Sequence, residues 1–427
     1  MRGALTATTL LLVGTTAAVG SLRLGFGAWV WLTIVSAVTV GLALSALVLR
    51  ADPPSWNRRA LLLVATAGVI ARIALMSADY YLSDDAFRYH WDGKVLAHGL
   101  NPYRHAPIAE DVAHLRTDPI DRLINHPDVV TVYPPLAEGA FALGYLLTPG
   151  SLHGYNVVCL LSEMLAWILL AIELRRRRRG PLPLVLLVLF PLPIFEGYLP
   201  GHTEPLVLPI LAALIMTVSR GWVQRTGVVL GLACLIKPLA LLFLPAVLTS
   251  IRSPQRWRLF PALAATILIP YLPFLGAGDN LTSSMLLMAR KWSFNGSIAA
   301  LLAEWIDDRT LRPILIAGVG LIAIAGARLG RSFAARSLIA FTGLVALTPT
   351  LYPWYAIWSL PFLVMHRDAS LILLAALLPV SEVVVIEYYT RGLWLDPLWP
   401  RLLIYLPFYG VLLASVAKRR GMFSEVG

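Results

Sequence analysis

Apolar runs, most of them near the roughly 17–25 residues that cross a bilayer, recur along the whole chain with short polar links between them. They fall at 4–20, 27–49, 60–77, 152–173, 182–198, 204–219, 259–275, 312–328, 335–349, 354–366, 369–387 and 400–417. This pattern predicts an all-α, polytopic membrane protein of roughly 12 transmembrane helices, a single transmembrane domain over residues 1–427. The first run has no obvious signal-peptidase site before the next and reads as a retained helix. A further run, 227–249, carries Lys237-Pro238 near its centre and is flanked on both sides by arginines (Arg220 and Arg225; Arg252, Arg256 and Arg258). A single crossing would put basic residues on both sides. Two short helices turning at the proline keep them on one side, which predicts a re-entrant hairpin.

With that hairpin, Arg50/Arg58/Arg59, Arg175 to Arg179, Arg220/Arg225, Arg252 to Arg258, Arg328/Arg331/Arg336, Arg367 and Lys418 to Arg420 all share one side. The positive-inside rule makes that side, and both termini, cytoplasmic. The other side receives the long segment 78–151, a turn at His202, the segment 276–311, a turn at Tyr352 and the segment 388–399. Trp91, Tyr133, Trp292, Trp354, Trp394 and Trp399 gather near these ends, as interfacial aromatics do. Segment 78–151 is too long for a passive connector. Phe87, Trp91, Lys94 and Val95 recur at helical spacing, predicting an amphipathic helix from about Asp84 to His98 that ends at Gly99. Tyr133-Pro134-Pro135-Leu136 opens a second, short apolar helix, about 136–148.

Composition sharpens the class. The chain is 58% hydrophobic and 14% charged, where a soluble protein carries ~25% charged residues. Its mean hydropathy is +0.73. The net charge of +11 sits in the short links, so it is a topology signal and implies no nucleic acid. Cys159 and Cys234 lie inside apolar runs and read as packing residues.

Candidate chemistry concentrates where the first long polar segment leaves the membrane: Ser83-Asp84-Asp85-Ala86-Phe87-Arg88-Tyr89-His90-Trp91-Asp92-Gly93. Carboxylates near a bilayer are costly. Asp84 and Asp85 suit two roles, an N-cap pair for the helix that follows or a base that takes a proton from an acceptor hydroxyl. Asp85 and Tyr89 lie one helical turn apart and face one pocket. Gly201-His202-Thr203-Glu204-Pro205 is a second polar patch at an outer turn, suited to sugar hydroxyls or proton transfer, with Glu196 close by; it is too small for a metal site. Lys237, inside an apolar run, needs either a phosphate or an internal partner such as Glu204. Arg290, Lys291, Asn295 and Ser297 form the strongest basic and hydrogen-bonding patch on the outer side and suit a phosphate. Tyr352-Pro353-Trp354-Tyr355 reads as an interfacial belt or as a sugar-stacking surface.

Asp84-Asp85-x-x-Arg88-Tyr89-x-Trp91-Asp92-Gly93, then Gly99-x-Asn101-Pro102-Tyr103, then Tyr133-Pro134-Pro135-Leu136 resembles the first outer loop of GT-C superfamily glycosyltransferases. The likeness is greatest to bacterial polyprenol-phosphate-mannose-dependent mannosyltransferases, and more distant to the catalytic subunit of GPI mannosyltransferase I. The resemblance implies a GT-C architecture and an inverting transfer of a sugar, mannose first, from a polyprenyl-phosphate donor to an envelope glycan or glycolipid on the extracytoplasmic face of a bacterial inner membrane. It carries the base to Asp85, with Asp84 second. Together with the residues' own chemistry, it points to substrate and phosphate contacts at Arg88, Tyr89, Asp92, Tyr103, Tyr133, His202, Glu204, Lys237, Arg290, Lys291, Asn295, Tyr352 and Trp354. Relatives often have histidine where this chain has Tyr352. A phosphate-linked donor requires neither metal nor cofactor. The competing expectations are a transporter or flippase of a lipid-linked saccharide, which would need ionisable residues in several spans, and a structural subunit of an envelope-synthesis complex.

Overall fold

Helices account for the regular structure of the described residues, and one isolated bridge joins Phe294 to Thr350. The computed structural model describes residues 2–50, 57–78, 82–199, 201–251 and 254–424, without the side chains of Arg2, 289–291 and 419–424. Seven of the described helices are long and apolar enough to cross a membrane: Gly3–Ser21, Phe26–Arg50, His153–Arg176, Arg256–Ala277, Asp308–Leu329, Ala369–Arg391 and Leu398–Lys418. Shorter apolar helices fill the spaces between them, including Leu182–Tyr198, Glu204–Ser219, Phe333–Leu347 and Pro353–Met365. The 60–77 span forms a helix, Arg58–Leu75, which carries arginines at both ends. Leu268, Ile269, Leu272 and Leu275 are among many large apolar side chains left exposed on the outside of the bundle. Lipid is the environment that such a surface requires, and helices suit it because their backbone groups pair internally.

The first six helices that matter for the site are α1 (Arg2–Ser21), α2 (Phe26–Arg50), α3 (Arg58–Leu75), α4 (Asp85–Ala97), α5 (Pro135–Leu147) and α6 (His153–Arg176). The bundle has two unlike ends. At one, Glu173 gathers Arg176, Arg177 and Arg220, Arg367 donates to the Val48 carbonyl, and Arg336 donates to Ser250. The long polar segment packs on the other. The chain reverses at Lys237, whose backbone is extended (φ −150, ψ 135) between Val223–Cys234 and the turns that begin at Pro238. Gly227 abuts Leu259 and Ala262, and Gly231 abuts Leu263 and Thr266. The helices Val223–Cys234 and Arg256–Ala277 therefore run parallel, and 238–250 between them runs back. Lys237 is thereby carried deep into the loop end.

The apolar stretch 182–198 is broken at Phe190-Pro191, where Phe190 is extended (ψ 134). Proline has no N–H, so the Leu187 carbonyl loses its helical donor. Arg72 of α3 replaces it. Its guanidinium donates to the carbonyls of Leu187 (3.0 Å) and Val188 (2.9 Å) and to the Glu163 carboxylate of α6, and it lies over the Trp167 ring at 4.8 Å. Arg72 and Glu163 are both fully buried. These two intramembrane charges are a structural joint between three elements.

The long polar segment folds on α4. Asp84 stands at the N-cap position, yet its side chain accepts no helix N–H; the Ser83 hydroxyl accepts from the Asp85 N–H instead. Trp91 and Val95 pack with Val112 and Leu115 inside the segment. Lys94 donates to Asp118 and Asp121, both at 2.8 Å, and so ties the return chain to the helix. α4 then crosses α5 closely: a Cβ on Gly93 would lie 2.3 Å from the Phe141 carbonyl oxygen, so the glycine of the motif is required by packing.

Candidate active site

Asp84 and Asp85 meet on one donor. The Asn125 side-chain amide lies 2.9 Å from Asp84 Oδ1 and 2.8 Å from Asp85 Oδ1. Asp85 Oδ2 faces the other way. The Tyr89 hydroxyl is 3.5 Å from it and the His202 Nδ1 is 3.6 Å from it. The Tyr89 hydroxyl in turn receives a hydrogen bond from Tyr133 at 3.1 Å, and Tyr103 donates to the Tyr133 carbonyl at 2.6 Å. Tyr89 stacks flat on Phe141 at 4.5 Å, with Tyr133 and Tyr155 edge-on. Pro134 and Pro135 start α5 and hold Tyr133 at that place.

The two aspartates titrate apart. Burial, and then the Asp85 charge, push Asp84 above the ordinary aspartate value despite the Asn125 hydrogen bond. Burial also pushes Asp85 upward, but His202, Asn125 and the charge of Lys237 outweigh it and hold Asp85 below the ordinary value. Paired carboxylates with one ionised and one inclined to hold its proton are what acid–base chemistry needs.

His202 reaches Asp85 from another element. Gly201 has φ +69, in the left-handed region, and a Cβ there would lie 2.9 Å from the Ala86 Cβ, so glycine alone lets this turn close on α4. Glu204 opens the next helix, Glu204–Ser219, and forms an ion pair with Lys237, whose ammonium also sits 5.5 Å from the centre of the Tyr355 ring. Of the two roles open to Lys237, the internal pair with Glu204 is therefore formed. The lysine stays partly accessible (21% of its side chain) and its charge is felt at Asp85.

The aromatic residues form a ladder. His202 stacks on Trp354 at 3.5 Å, Trp354 on Tyr352 at 4.3 Å, and Tyr352 on Phe294 at 4.8 Å. Trp292 meets Tyr352 on one side and His126 on the other. The side chains of Arg290 and Lys291 lie outside the described residues. Asn295 is buried with φ +50; its N–H donates to Asp396 and its amide to the Leu351 carbonyl. Ser297 bonds to Tyr409 and the Ala346 carbonyl. Both residues brace the ladder from behind. Arg88 and Asp92 pair with each other inside the polar segment, at 2.9 and 3.0 Å, and Asn101 and Tyr103 dock that segment on Phe274.

Asp84, Asp85, Tyr89, Tyr133, His202, Glu204, Lys237, Tyr352 and Trp354 thus come together, while Arg88, Asp92, Tyr103 and Asn295 support them. Asn125 carries no signal in the sequence: a lone asparagine before His126-Pro127 belongs to no motif, and only its hydrogen bonds mark it. Among the described residues one group could ligate a metal, His90 with Asp118 and Asp121. The Lys94 ammonium already occupies the cation position between its two carboxylates. No protein-family model matches the chain, and no curated protein matches it.

Proposed function

We propose that the protein is an inverting membrane glycosyltransferase of GT-C type, which moves a sugar, mannose first, from a polyprenyl-phosphate donor to a glycan or glycolipid hydroxyl at the extracytoplasmic face of a bacterial inner membrane. One observation carries this reading. Asp85, whose carboxyl is held below the ordinary aspartate value, and the half-buried ammonium of Lys237 share one cluster at the loop end of a membrane bundle. The carboxylate is the base for the acceptor hydroxyl. The ammonium stabilises the charge that develops on the departing phosphate. The rings of Trp354 and Tyr352, already stacked in the ladder, would wall the sugar with their edges.

A lipid route supports the same reading. An apolar groove of about 370 Å³ is lined by Leu136, Val158, Leu206 and Ile236 among others. Each of these four lies within three residues of a polar member of the cluster: Tyr133, Tyr155, Glu204 and Lys237. A lipid tail in this groove would carry its phosphate toward Lys237. Arg72 and Glu163, two of the few intramembrane charges, pair with each other, which favours this reading over a transporter.

The test is purified protein in lipid nanodiscs, given tritium-labelled polyprenyl-phosphate mannose with octyl mannoside as acceptor, in the presence of EDTA. Label is expected in a dimannoside. Scrambling of the labelled lipid between leaflets of proteoliposomes, without transfer, would instead establish the transporter.

The acid side of the pH profile follows from the aspartates. Asp85 acts when ionised, so activity falls only as pH drops through its lowered pKa, and the enzyme is expected to work well into mildly acidic solution. Asn125→Ala removes a donor that favours both carboxylates in ionised form. The acidic limb of kcat/KM is expected to move toward neutral pH; an unmoved limb would show that Asn125 does not set the charge of Asp85.

A further inference from the structure

The side of His202 away from Asp85 is also occupied. Its Nε2 lies 4.0 Å from Glu196 Oε2, and the His202 N–H donates to the Glu196 carbonyl at 3.4 Å, which fixes the two residues to each other. His202 and Glu196 are 0% and 1% exposed. Neither ring nitrogen and neither Glu196 carboxylate oxygen meets a hydrogen-bond partner at normal length. Buried polar groups left in this state are rare, and they mark places where a proton or a partner is exchanged. The ring stacks on Trp354, and the His202 backbone carbonyl receives the Tyr155 hydroxyl at 3.4 Å, so both the ring and its backbone are held in place. The charged groups around this pair are Asp85 from α4, Glu204 and Lys237 from the helix start and the hairpin turn, and Glu382 from the Ala369–Arg391 span.

We propose that Asp85, His202 and Glu196 form a proton relay leading away from the reacting centre, with Glu196 as a positioning residue for the imidazole. The proposal rests on the sugar-transfer reading. In the step, the acceptor oxygen bonds to the anomeric carbon, and the bond from that carbon to the phosphate oxygen breaks with its electron pair leaving on polyprenyl phosphate. The acceptor proton passes to Asp85 Oδ2 and then to His202 Nδ1. His202 keeps its own proton on Nε2, directed at Glu196. The resulting imidazolium lies between the Asp85 carboxylate and the Glu196 carboxyl group, and Asp85 is ionised again. Gaps of 3.6 and 4.0 Å are somewhat longer than a hydrogen bond, as catalytic contacts often are before substrate draws them in. A carboxylate on the far side of a catalytic imidazole sets its tautomer and steadies its charged form.

The experiment uses the full chain in nanodiscs with ¹⁵N-labelled histidine. His202→Gln identifies the His202 signals among the eight histidines. Glu196→Gln removes the carboxyl group that faces Nε2 and that can give up a proton as the ring charges, so His202 is expected to lose proton affinity tenfold or more, which lowers the pH at which its ring charges. In the labelled-donor assay the same variant is expected to lower kcat by on the order of 100-fold with KM nearly constant. Glu196→Asp, which keeps the carboxyl group, is expected to restore part of both and guards against a variant that merely misfolds. If His202 titrates identically in wild type and Glu196→Gln, and the pH profile of transfer is unmoved, the relay is overturned while Asp85 keeps its role as base. If the titration shifts but wild-type protein moves no label, the transfer reading fails, and the relay loses the reaction it serves.

Discussion

Asp85→Asn is expected to lower sugar transfer by about 10²–10⁴-fold, the range for losing a general base, with monodisperse elution and thermal stability close to wild type. The substitution keeps the shape of the side chain and its contact with Asn125, and it removes only the capacity to take a proton. A base held below the ordinary aspartate value is sufficient here. As the anomeric carbon gains cationic character and bonds to the acceptor oxygen, the hydroxyl proton becomes acidic, as it does for the water in inverting glycoside hydrolysis. Asp84→Asn is expected to be milder. Asp84 is the partner pushed toward its protonated form, and its carboxylate is turned to Asn125 and His126 and away from His202 and Lys237. Initial rates with labelled polyprenyl-phosphate mannose decide the matter. Full turnover by Asp85→Asn would remove the base, and a larger loss in Asp84→Asn would transfer the role to its neighbour.

The second large effect is on stability. Arg72→Leu is expected to cost about 3–5 kcal/mol, the range for breaking a buried ion pair by removing one partner. It strands the Glu163 carboxylate and returns the Leu187 and Val188 carbonyls to the unpaired state that the Phe190-Pro191 break creates. Arg72→Leu combined with Glu163→Leu is expected to recover part of that loss, because no unpaired charge remains, but not all of it, because the two carbonyls still lack donors. Denaturant unfolding of the purified protein in detergent measures both. An Arg72→Leu protein with a wild-type midpoint would mean that the joint between α3, α6 and the broken helix holds nothing together.

Much of this molecule was readable in one dimension, and particular residues show why. Helices formed wherever an apolar run was long enough, because a bilayer permits little else. The amphipathic helix expected from about Asp84 to His98 is Asp85–Ala97, and the short one after Tyr133-Pro134 is Pro135–Leu147. The reversal at Lys237 followed from two basic flanks and a proline. Among the described residues the expected dozen spans, by contrast, divide into seven long apolar helices and a set of shorter or less apolar ones. Prolines at 191, 238 and 353 break or tighten the helix, and a hydropathy window averages over such breaks.

The candidate site was legible only in its local parts. Asp84, Asp85 and Tyr89 share one helix, so spacing alone placed them on one pocket. Whether Asp84 capped the helix or faced the site was decided by Asn125, 41 residues away. That Arg88 pairs with Asp92, and Lys237 with Glu204, came into view only with the fold.

The order of apolar and polar residues therefore determined that this chain lives in a membrane as a helical bundle with one long polar segment bearing an acidic helix. Those are consequences of local periodicity and of solvent, which act on neighbours in the chain. Which aspartate is pushed up and which is held down, which cation faces the pair and which imidazole stands behind it were decided by tertiary structure alone. Those properties depend on desolvation and on distances of a few ångströms between groups that the sequence holds tens to hundreds of residues apart.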